Sequence, residues 1–329
     1  MRRATLLAAL VLLAGAAPAG AAVRLTTGPV TALTLEGQTA TVRPAAGDAV
    51  FVVDAQTGRV GRRVPVQGAD GVLVSGPRLA TVAYESPDSH RLLDASTLAI
   101  APLRDPLSEI VVAHQDGFDG RVWSTGLHGR GGLVAAVRTL FEPSPDTPDC
   151  LEGGECDWVR AGEESFVWSA RTSARRGLPA GEVLDADATR VLLLRGRELV
   201  TTNARGRVVA RLTLPPSLRA LRYGRLGGGG RVLLVASADY GDAAILLRGG
   251  RPVWTGSITA HAAPAFDGTR VVWGTGARVW LRDARTPARR VLVGRCRTAV
   301  SAVAVSGARV AWACRGRGAS AWATSVRDP

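Results

Sequence analysis

Short apolar runs separated by Gly- and Asp-containing turns recur along most of this chain, and residues 266–293, FDGTRVVWGTGARVWLRDARTPARRVLV, show the unit most clearly. An Asp-Gly turn (Asp267, Gly268) precedes a run at 271–273. A glycine turn (Gly274, Gly276) leads to 279–281, and an Asp-Ala-x-Thr turn opening at Asp283 leads to 290–293. β-Branched and aromatic residues bounded by Gly and Asp predict strands joined as hairpins.

The same unit repeats. Taking the small residue that opens each second strand, the anchors are Gly37, Gly76, Gly131, Ala188, Gly229, Gly268 and Gly307, spaced by 39, 55, 57, 41, 39 and 39 residues. A period near 40 with only strand patterns between anchors is the signature of a propeller, each unit being a four-stranded blade. Seven anchors predict seven blades in an all-β fold. A second landmark keeps step: turns headed by Asp54, Asp94, Ser169, Asn203 and Asp283 follow their anchors by 17, 18, 38, 15 and 15 residues, only the third being out of register. Asp, Asn or Ser at the head of such a turn can accept hydrogen bonds from its own backbone.

After Gly307 only two strand patterns remain, at 310–313 and 319–324, so the last blade lacks its outermost strand. Residues 22–27 form a strand pattern with no blade of its own. Because a propeller must hide its edges, the N-terminal strand is expected to complete the last blade, making 22–329 one domain.

Asp54-Ala-Gln-Thr-Gly58 looks like the D-A-x-T-G of quinoprotein repeats, and the chain resembles bacterial exported β-propellers of the quinoprotein-like, TolB-like and WD40-like repeat types. The resemblance implies the fold. Pyrroloquinoline-quinone enzymes have a longer, eight-bladed ring, so no cofactor is expected.

Composition adds an address. Residues 1–21 combine Arg2 and Arg3 with an apolar run at 6–13 and small residues at A-x-A spacing, the pattern of a secretory signal peptide; the run is shorter than the roughly 20 residues a membrane span needs. The mature protein is expected outside the cytoplasm, without a transmembrane segment, as a monomer. Formal net charge is +13, and every basic residue is Arg. Such a chain invites a nucleic-acid reading, but export and the placement of the few aromatics within apolar strands argue against it. Four cysteines in an exported chain imply disulfides, expected as Cys150–Cys156 and Cys296–Cys314. The second pair falls at the same end of adjacent strands.

Strand alternation sorts residues by face. The turns from first to second and from third to fourth strand lie on one face of the disc. There Arg78, Arg190, Arg231, Arg270 and Arg309 share one repeat position, and Arg59, Arg171, Arg205, Arg207 and Arg285 sit at the outer turns. Solvated turns in a Lys-free chain account for them, or adhesion to an anionic surface. On the other face, the third blade carries an insertion at 141–166 with eight carboxylates against one Arg, pinched by Cys150 and Cys156. Asp149, Glu152, Glu155 and Asp157 within it, with His90, His114, Asp116 and Asp119 in neighbouring loops, form the candidate binding surface. Asp105 and Glu109 are placed on the same face. Carboxylates with two His could hold a divalent cation, although neither D-x-D-x-D-G nor H-x-E-x-H spacing occurs.

The expected function is therefore a non-catalytic binding or protein-interaction propeller, its partner a protein or cell-envelope ligand. Two alternatives stand beside it: a structural component of the envelope, or a hydrolase of glycans or lactones gathering carboxylates such as Asp116, Asp119 and Asp185 at the channel mouth. No Ser lies in a nucleophile-elbow context. Trp273 and Trp312, each five residues after its anchor, read as core.

Overall fold

The computed structural model describes residues 22–85, 95–115, 122–144, 158–216, 218, 220–238, 241–260, 262–285 and 289–326. Its first strand, β1 (Val23–Thr27), is followed by a blade of β2 (Val30–Glu36), β3 (Thr39–Pro44), β4 (Ala49–Asp54) and β5 (Val60–Pro65). Blade two is β6 (Gly71–Ser75), β7 (Arg78–Glu85), β8 (Ala95–Pro102) and β9 (Ile110–Gln115); blade three is β10 (Val122–His128), β11 (Leu133–Pro143), β12 (Trp158–Ser169) and β13 (Ala174–Gly177). Blade four is β14 (Glu182–Ala186), β15 (Arg190–Arg195), β16 (Glu198–Asn203) and β17 (Val208–Thr213); blade five is β18 (Ala220–Gly227), β19 (Arg231–Ala238), β20 (Gly241–Arg248) and β21 (Arg251–Ser257). Blade six is β22 (Ala265–Phe266), β23 (Arg270–Thr275), β24 (Arg278–Asp283) and β25 (Arg290–Arg295), and the chain ends with β26 (Ala299–Ser306), β27 (Arg309–Arg315) and β28 (Ser320–Ser325).

Each of the seven sheets has four antiparallel strands, and six of them run in chain order. The seventh is ordered β1-β28-β27-β26, so the N-terminal strand supplies the missing edge as its sequence position predicted. Val23 pairs with Ala323 and Thr27 with Ser320, and Leu25 is 4% exposed. The protein is a seven-bladed β-propeller closed by its two chain ends.

Period-two alternation explains where the core sits. Inward residues on each face of a blade meet those of the next, and a buried cluster fills every junction: Ala80, Val82, Leu98 and Ile100 of blade two pack on Val134, Phe166 and Trp168 of blade three, and Leu35, Ala40 and Val42 of blade one pack on Ala304, Ala311 and Ala323 of blade seven. Trp273 and Trp312 are 3% and 2% exposed and belong to this core. Fully burying such a side chain contributes about 1.5–3 kcal/mol. Outermost strands behave differently; β17 is mostly exposed, as an edge facing solvent should be.

Asx capping holds at three of the expected turns, but the one expected at 94–97 after a third strand is not such a turn, because residues 95–97 open β8, itself the third strand of blade two. Asp54 Oδ1 accepts from Gln56 N–H and Thr57 N–H, both at 2.8 Å. Asn203 Oδ1 accepts from Arg205 N–H and Arg207 N–H, and Asp283 Oδ1 from Arg285 N–H. Gly268, at φ +100°, shows why an anchor is glycine: a Cβ there would lie 2.2 Å from Gly228 N, where the inner turns of blades five and six touch backbone to backbone.

Blades two and three both break the period, and in blade three two strands are long. β11 and β12 pair from Leu133↔Ser169 to Pro143↔Trp158 with a register shift between Leu140 and Phe141, a ladder of eleven pairs against six between β23 and β24. Of the stretch 141–166, then, 141–143 and 158–166 are strand.

Cys296 and Cys314 are bonded, with Cα atoms 5.5 Å apart. Cys296 follows β25 of blade six and Cys314 lies in β27 of blade seven, so the bridge staples one blade to the next. Cys150 and Cys156 lie outside the described residues. Among the described residues no helix is long and apolar enough to cross a membrane.

Candidate functional site

In each blade an inner turn joins the first strand to the second, and the residue just before each anchor sits at that turn. In chain order these are Glu36, Ser75, Arg130, Asp187, Gly228, Asp267 and Ser306. Six of the seven carry a polar side chain, and those side chains tie the turns together. Glu36 Oε1 of blade one accepts from Gly76 N–H of blade two and Gly131 N–H of blade three, each at 3.0 Å. Ser75 Oγ donates to Leu133 O at 2.7 Å and accepts from Gly132 N–H. Ser306 Oγ accepts from Gly37 N–H at 2.8 Å, joining blade seven to blade one. Asp187 and Asp267 each cap their own turn, taking the N–H groups two and three residues on.

Arg130 reaches furthest. From blade three its Nη2 donates to Asp185 Oδ2 of blade four at 2.8 Å and to Leu226 O of blade five at 2.7 Å, and its Nη1 donates to Phe266 O of blade six at 2.9 Å. Asp185, 8% exposed, also accepts Leu226 N–H at 2.8 Å. Arg225 spans the same channel, donating to Leu184 O and Pro264 O. His128 sits among these charges. Burial first, then the Arg225 cation, push its pKa down to about 4, with Asp185 opposing, so the ring is neutral near pH 7.

The five repeat-position arginines are not a solvated basic face. Arg190, Arg231 and Arg270 each donate to the backbone carbonyl 37 residues on, at Gly227, Gly268 and Gly307, which is the inner turn of the following blade. Arg78 stacks over Trp168 of blade three, 5.3 Å from the ring centroid, and Arg309 Nη2 donates to Gln56 Oε1 of blade one at 3.1 Å. Every one points to the next blade. Arg59, Arg171, Arg205, Arg207 and Arg285, at the outer turns, are exposed. These joints are repeat features legible in sequence only by aligning the position before each anchor and the position two after it.

A cavity of about 720 Å³ opens over the inner turns, lined by Glu36, Arg130, Asp187, Arg190, Asp267 and the glycines 227–230. Glu36, Arg130 and Arg190 hold the ring through the bonds described above, while Asp267 Oδ2 is buried without a hydrogen-bond partner among the described residues. Among the described residues no set of three His, Cys, Asp or Glu side chains is placed to hold a metal ion.

The candidate binding residues of the opposite face are distributed as follows. His114 is on β9, paired in register with Thr97. His90, Asp116, Asp119, Asp149, Glu152, Glu155 and Asp157 lie outside the described residues. The strand ends that flank them, at Glu85 and Ala95, Gln115 and Val122, and Pro143 and Trp158, belong to blades two and three. Asp105 and Glu109 are misplaced by the sequence reading: they join β8 to β9, a third-to-fourth strand turn, which is on the inner-turn face. Two acidic residues of the third blade are already neutralised. Glu163 pairs with Arg160, and Glu164 with Arg138 and with Arg175 of β13.

No protein-family model matches the chain, and no curated protein matches it by sequence. Solved structures do. The β-propeller domain of Cps50 (Swd1) from Myceliophteria thermophila superposes with a TM-score of 0.54 at 13% identity, over 93% of this chain and 100% of that one. The propeller domain of the Trilobed protease from Pyrococcus furiosus, described as having an open velcro topology, gives 0.58 at 9% identity over 92% and 94%; here, by contrast, β1 pairs with β28 and the ring is sealed. Acylaminoacyl peptidase from Pyrococcus horikoshii gives 0.52 at 11% identity over 87% of this chain, which spans 50% of that protein. At these identities the likeness is one of fold, and the fold is the seven-bladed propeller just described.

Proposed function

We propose that the chain is an exported binding propeller without catalysis, engaging its partner through the face on which β11 and β12 extend. The observation that carries this reading is the ladder of β11 and β12, eleven pairs against eight in blades two and five and six in blades four and six, from whose end the chain departs from the repeat between Pro143 and Trp158. Repeat proteins place their binding surface where a loop departs from the repeat. The channel supports the same conclusion: Asp185, the described member of the carboxylates a hydrolase would use, is buried and bonded to Arg130 and to Leu226 N–H, which leaves it poorly suited to acid–base work.

Because Glu163 and Glu164 are paired, the attraction rests on Asp149, Glu152, Glu155 and Asp157, with His90, His114, Asp116 and Asp119 beside them. The partner is cationic: a basic protein or envelope surface, or a divalent ion. Leader cleavage between Ala19 and Val23 belongs to the same reading, since the partner is met outside the cytoplasm.

The test replaces Asp149, Glu152, Glu155 and Asp157 together by Asn and Gln. The expected variant folds and melts as the parent does, loses partners captured from the extracytoplasmic fraction, and loses any calcium-dependent rise in Tm. Parent binding is expected to weaken as salt rises, as it does for exposed charges. Identical partner profiles for parent and variant, with no cation effect on either, reject the proposal.

A further inference from the structure

A second cleft, of about 400 Å³, lies across the ring from the long hairpin, at the junction of blades five and six on the face of the second-to-third strand turns. Ser257 ends β21 and Thr259 follows it, Thr275 and Arg278 bracket the β23–β24 turn, and Trp280 and Arg290 come from β24 and β25. Its volume is that of a small-ligand pocket, typically 300–1,000 Å³.

Arginines face one another beside it, as Arg231, Arg248 and Arg251 also do in blade five. Arg278 stands directly opposite Arg295, and Arg282 directly opposite Arg290, across the β24–β25 ladder. Like charges at directly opposed positions repel. Among the described residues none of these four guanidiniums has a carboxylate partner. Two are instead laid over aromatic faces: Arg290 is 4.7 Å from the centroid of Trp280, and Arg282 is 4.8 Å from that of Trp254. Arg282 Nε is buried without a hydrogen-bond partner. Arg190, Arg231 and Arg270 are spent on carbonyls of the next blade, and Arg63, Arg160, Arg211 and Arg222 on carboxylates; Arg278 and Arg290, which line this cleft, have no such partner among the described residues and keep their anion-binding capacity.

The rest of the lining selects among anions. Trp280 is half-buried and stands beside Trp273, its partner across the β23–β24 ladder, so that the two indoles give the cleft an aromatic wall next to Arg290. Ser257, Thr259 and Thr275 place hydroxyls around the same space; Thr275 Oγ1 donates to Thr259 O and keeps its lone pairs for an incoming hydroxyl. An aromatic wall, hydroxyls that both donate and accept, and planar guanidiniums suited to two-point capture of an oxyanion together fit a polyhydroxylated ring bearing one acidic group. We infer that this cleft binds an acidic saccharide unit, its ring against Trp280 and its carboxylate or phosphate on Arg278 and Arg290. The inference stands independently of the surface proposed for blades two to four.

Titration calorimetry on the intact protein separates the sources of such a group. Oligogalacturonate supplies a carboxylate on the ring, glucose 6-phosphate supplies a phosphate, maltotriose supplies rings without charge, and inorganic phosphate supplies charge without a ring. Saturable binding of at least one acidic sugar, at least tenfold tighter than maltotriose or inorganic phosphate, is the expected result. R278Q/R290Q should lose at least tenfold in affinity, R278K/R290K should retain part of it, and W280F should weaken sugars while leaving the weak response to inorganic phosphate unchanged. Each variant's Tm confirms that the blade is intact, and a soak of the parent reports the site directly should a variant fail to fold. Equal affinity for inorganic phosphate and acidic sugars overturns the proposal, as does no binding of either sugar, or wild-type affinity in R278Q/R290Q.

Discussion

His128 ends the innermost strand of blade three, where the channel is narrow and cationic. Burial and Arg225 hold its pKa near 4 against an ordinary 6.5. The sign of the consequence follows from linkage. The unfolded chain takes up a proton as pH falls below about 6.5, whereas the folded protein does not until about pH 4, so stability is fully present above 6.5 and drains away between those values. The whole window is worth on the order of 3 kcal/mol at 1.36 kcal/mol per unit. His128→Gln should flatten that part of the Tm-versus-pH profile while changing Tm little at pH 8. A variant whose acid slope equals the parent's would show that this imidazole does not carry it. Residue-scale logic also explains why Asp187 and Asp267 are tolerated near the axis. Each satisfies N–H groups of its own turn, and Asp187 meets Arg190 besides, hydrogen bonds that together draw its carboxyl below the usual range against the opposing effect of burial.

At the scale of the element, β1 matters most. It contributes five residues and one buried apolar side chain, Leu25 at 4% exposure, yet it covers the open edge of β28. An exposed strand edge is a template for pairing with other chains. Leu25→Ala should lower stability by about 2–3 kcal/mol, the low end of the range for buried Leu→Ala, through the void it leaves against Ala321 and Ala323 of blade seven and Ala40 and Val53 of blade one. Deleting 22–27 should do more, converting a reversible melt into aggregation on heating, read by light scattering alongside calorimetry. Should the deletion variant melt reversibly at the parent Tm, closure by β1 contributes nothing to the ring. The Cys296–Cys314 bridge works at the same scale but on the neighbouring joint, between blades six and seven.

The molecule as a whole is held by two concentric systems. Apolar clusters fill the seven junctions, and nearer the axis polar side chains lace the inner turns, Arg130 alone reaching blades four, five and six. Arg130→Met should remove bonds to three blades at once and strand the buried Asp185 carboxylate, a loss of about 3 kcal/mol or more, since breaking a buried pair leaves an uncompensated charge. Adding Asp185→Asn should recover part of that loss, because the orphan is then neutral and can still accept Leu226 N–H. Chemical denaturation of the four proteins of this cycle measures the coupling, and additive single effects would show that the pair does not act as a unit. A channel laced this way is a structural axis, which is why the proposed binding surfaces lie at the rim.

Much of this architecture is written in local chemistry. Hairpin turns need Gly, Asp or Asn at fixed offsets whatever surrounds them, and one buried face per strand imposes alternation, so the blade count, the Asx caps at Asp54, Asn203 and Asp283, the burial of Trp273 and Trp312, and closure by β1 are all legible along the chain. The bridge between Cys296 and Cys314 is legible too, because both fall at one end of adjacent strands. What tertiary structure alone decided are relations between blades. Arg190, Arg231 and Arg270 look like solvated turn residues until the next blade's carbonyl is found 37 residues away. Arg130 looks like a hairpin residue until the ring closes and brings Asp185, Leu226 and Phe266 around it. Asp105 and Glu109 change face because β8 runs on to Pro102 before the chain turns into β9, a length that composition does not reveal. In each case a side chain's partner is set by the stacking of repeats about an axis, and distance along the chain carries no information about who stands across it.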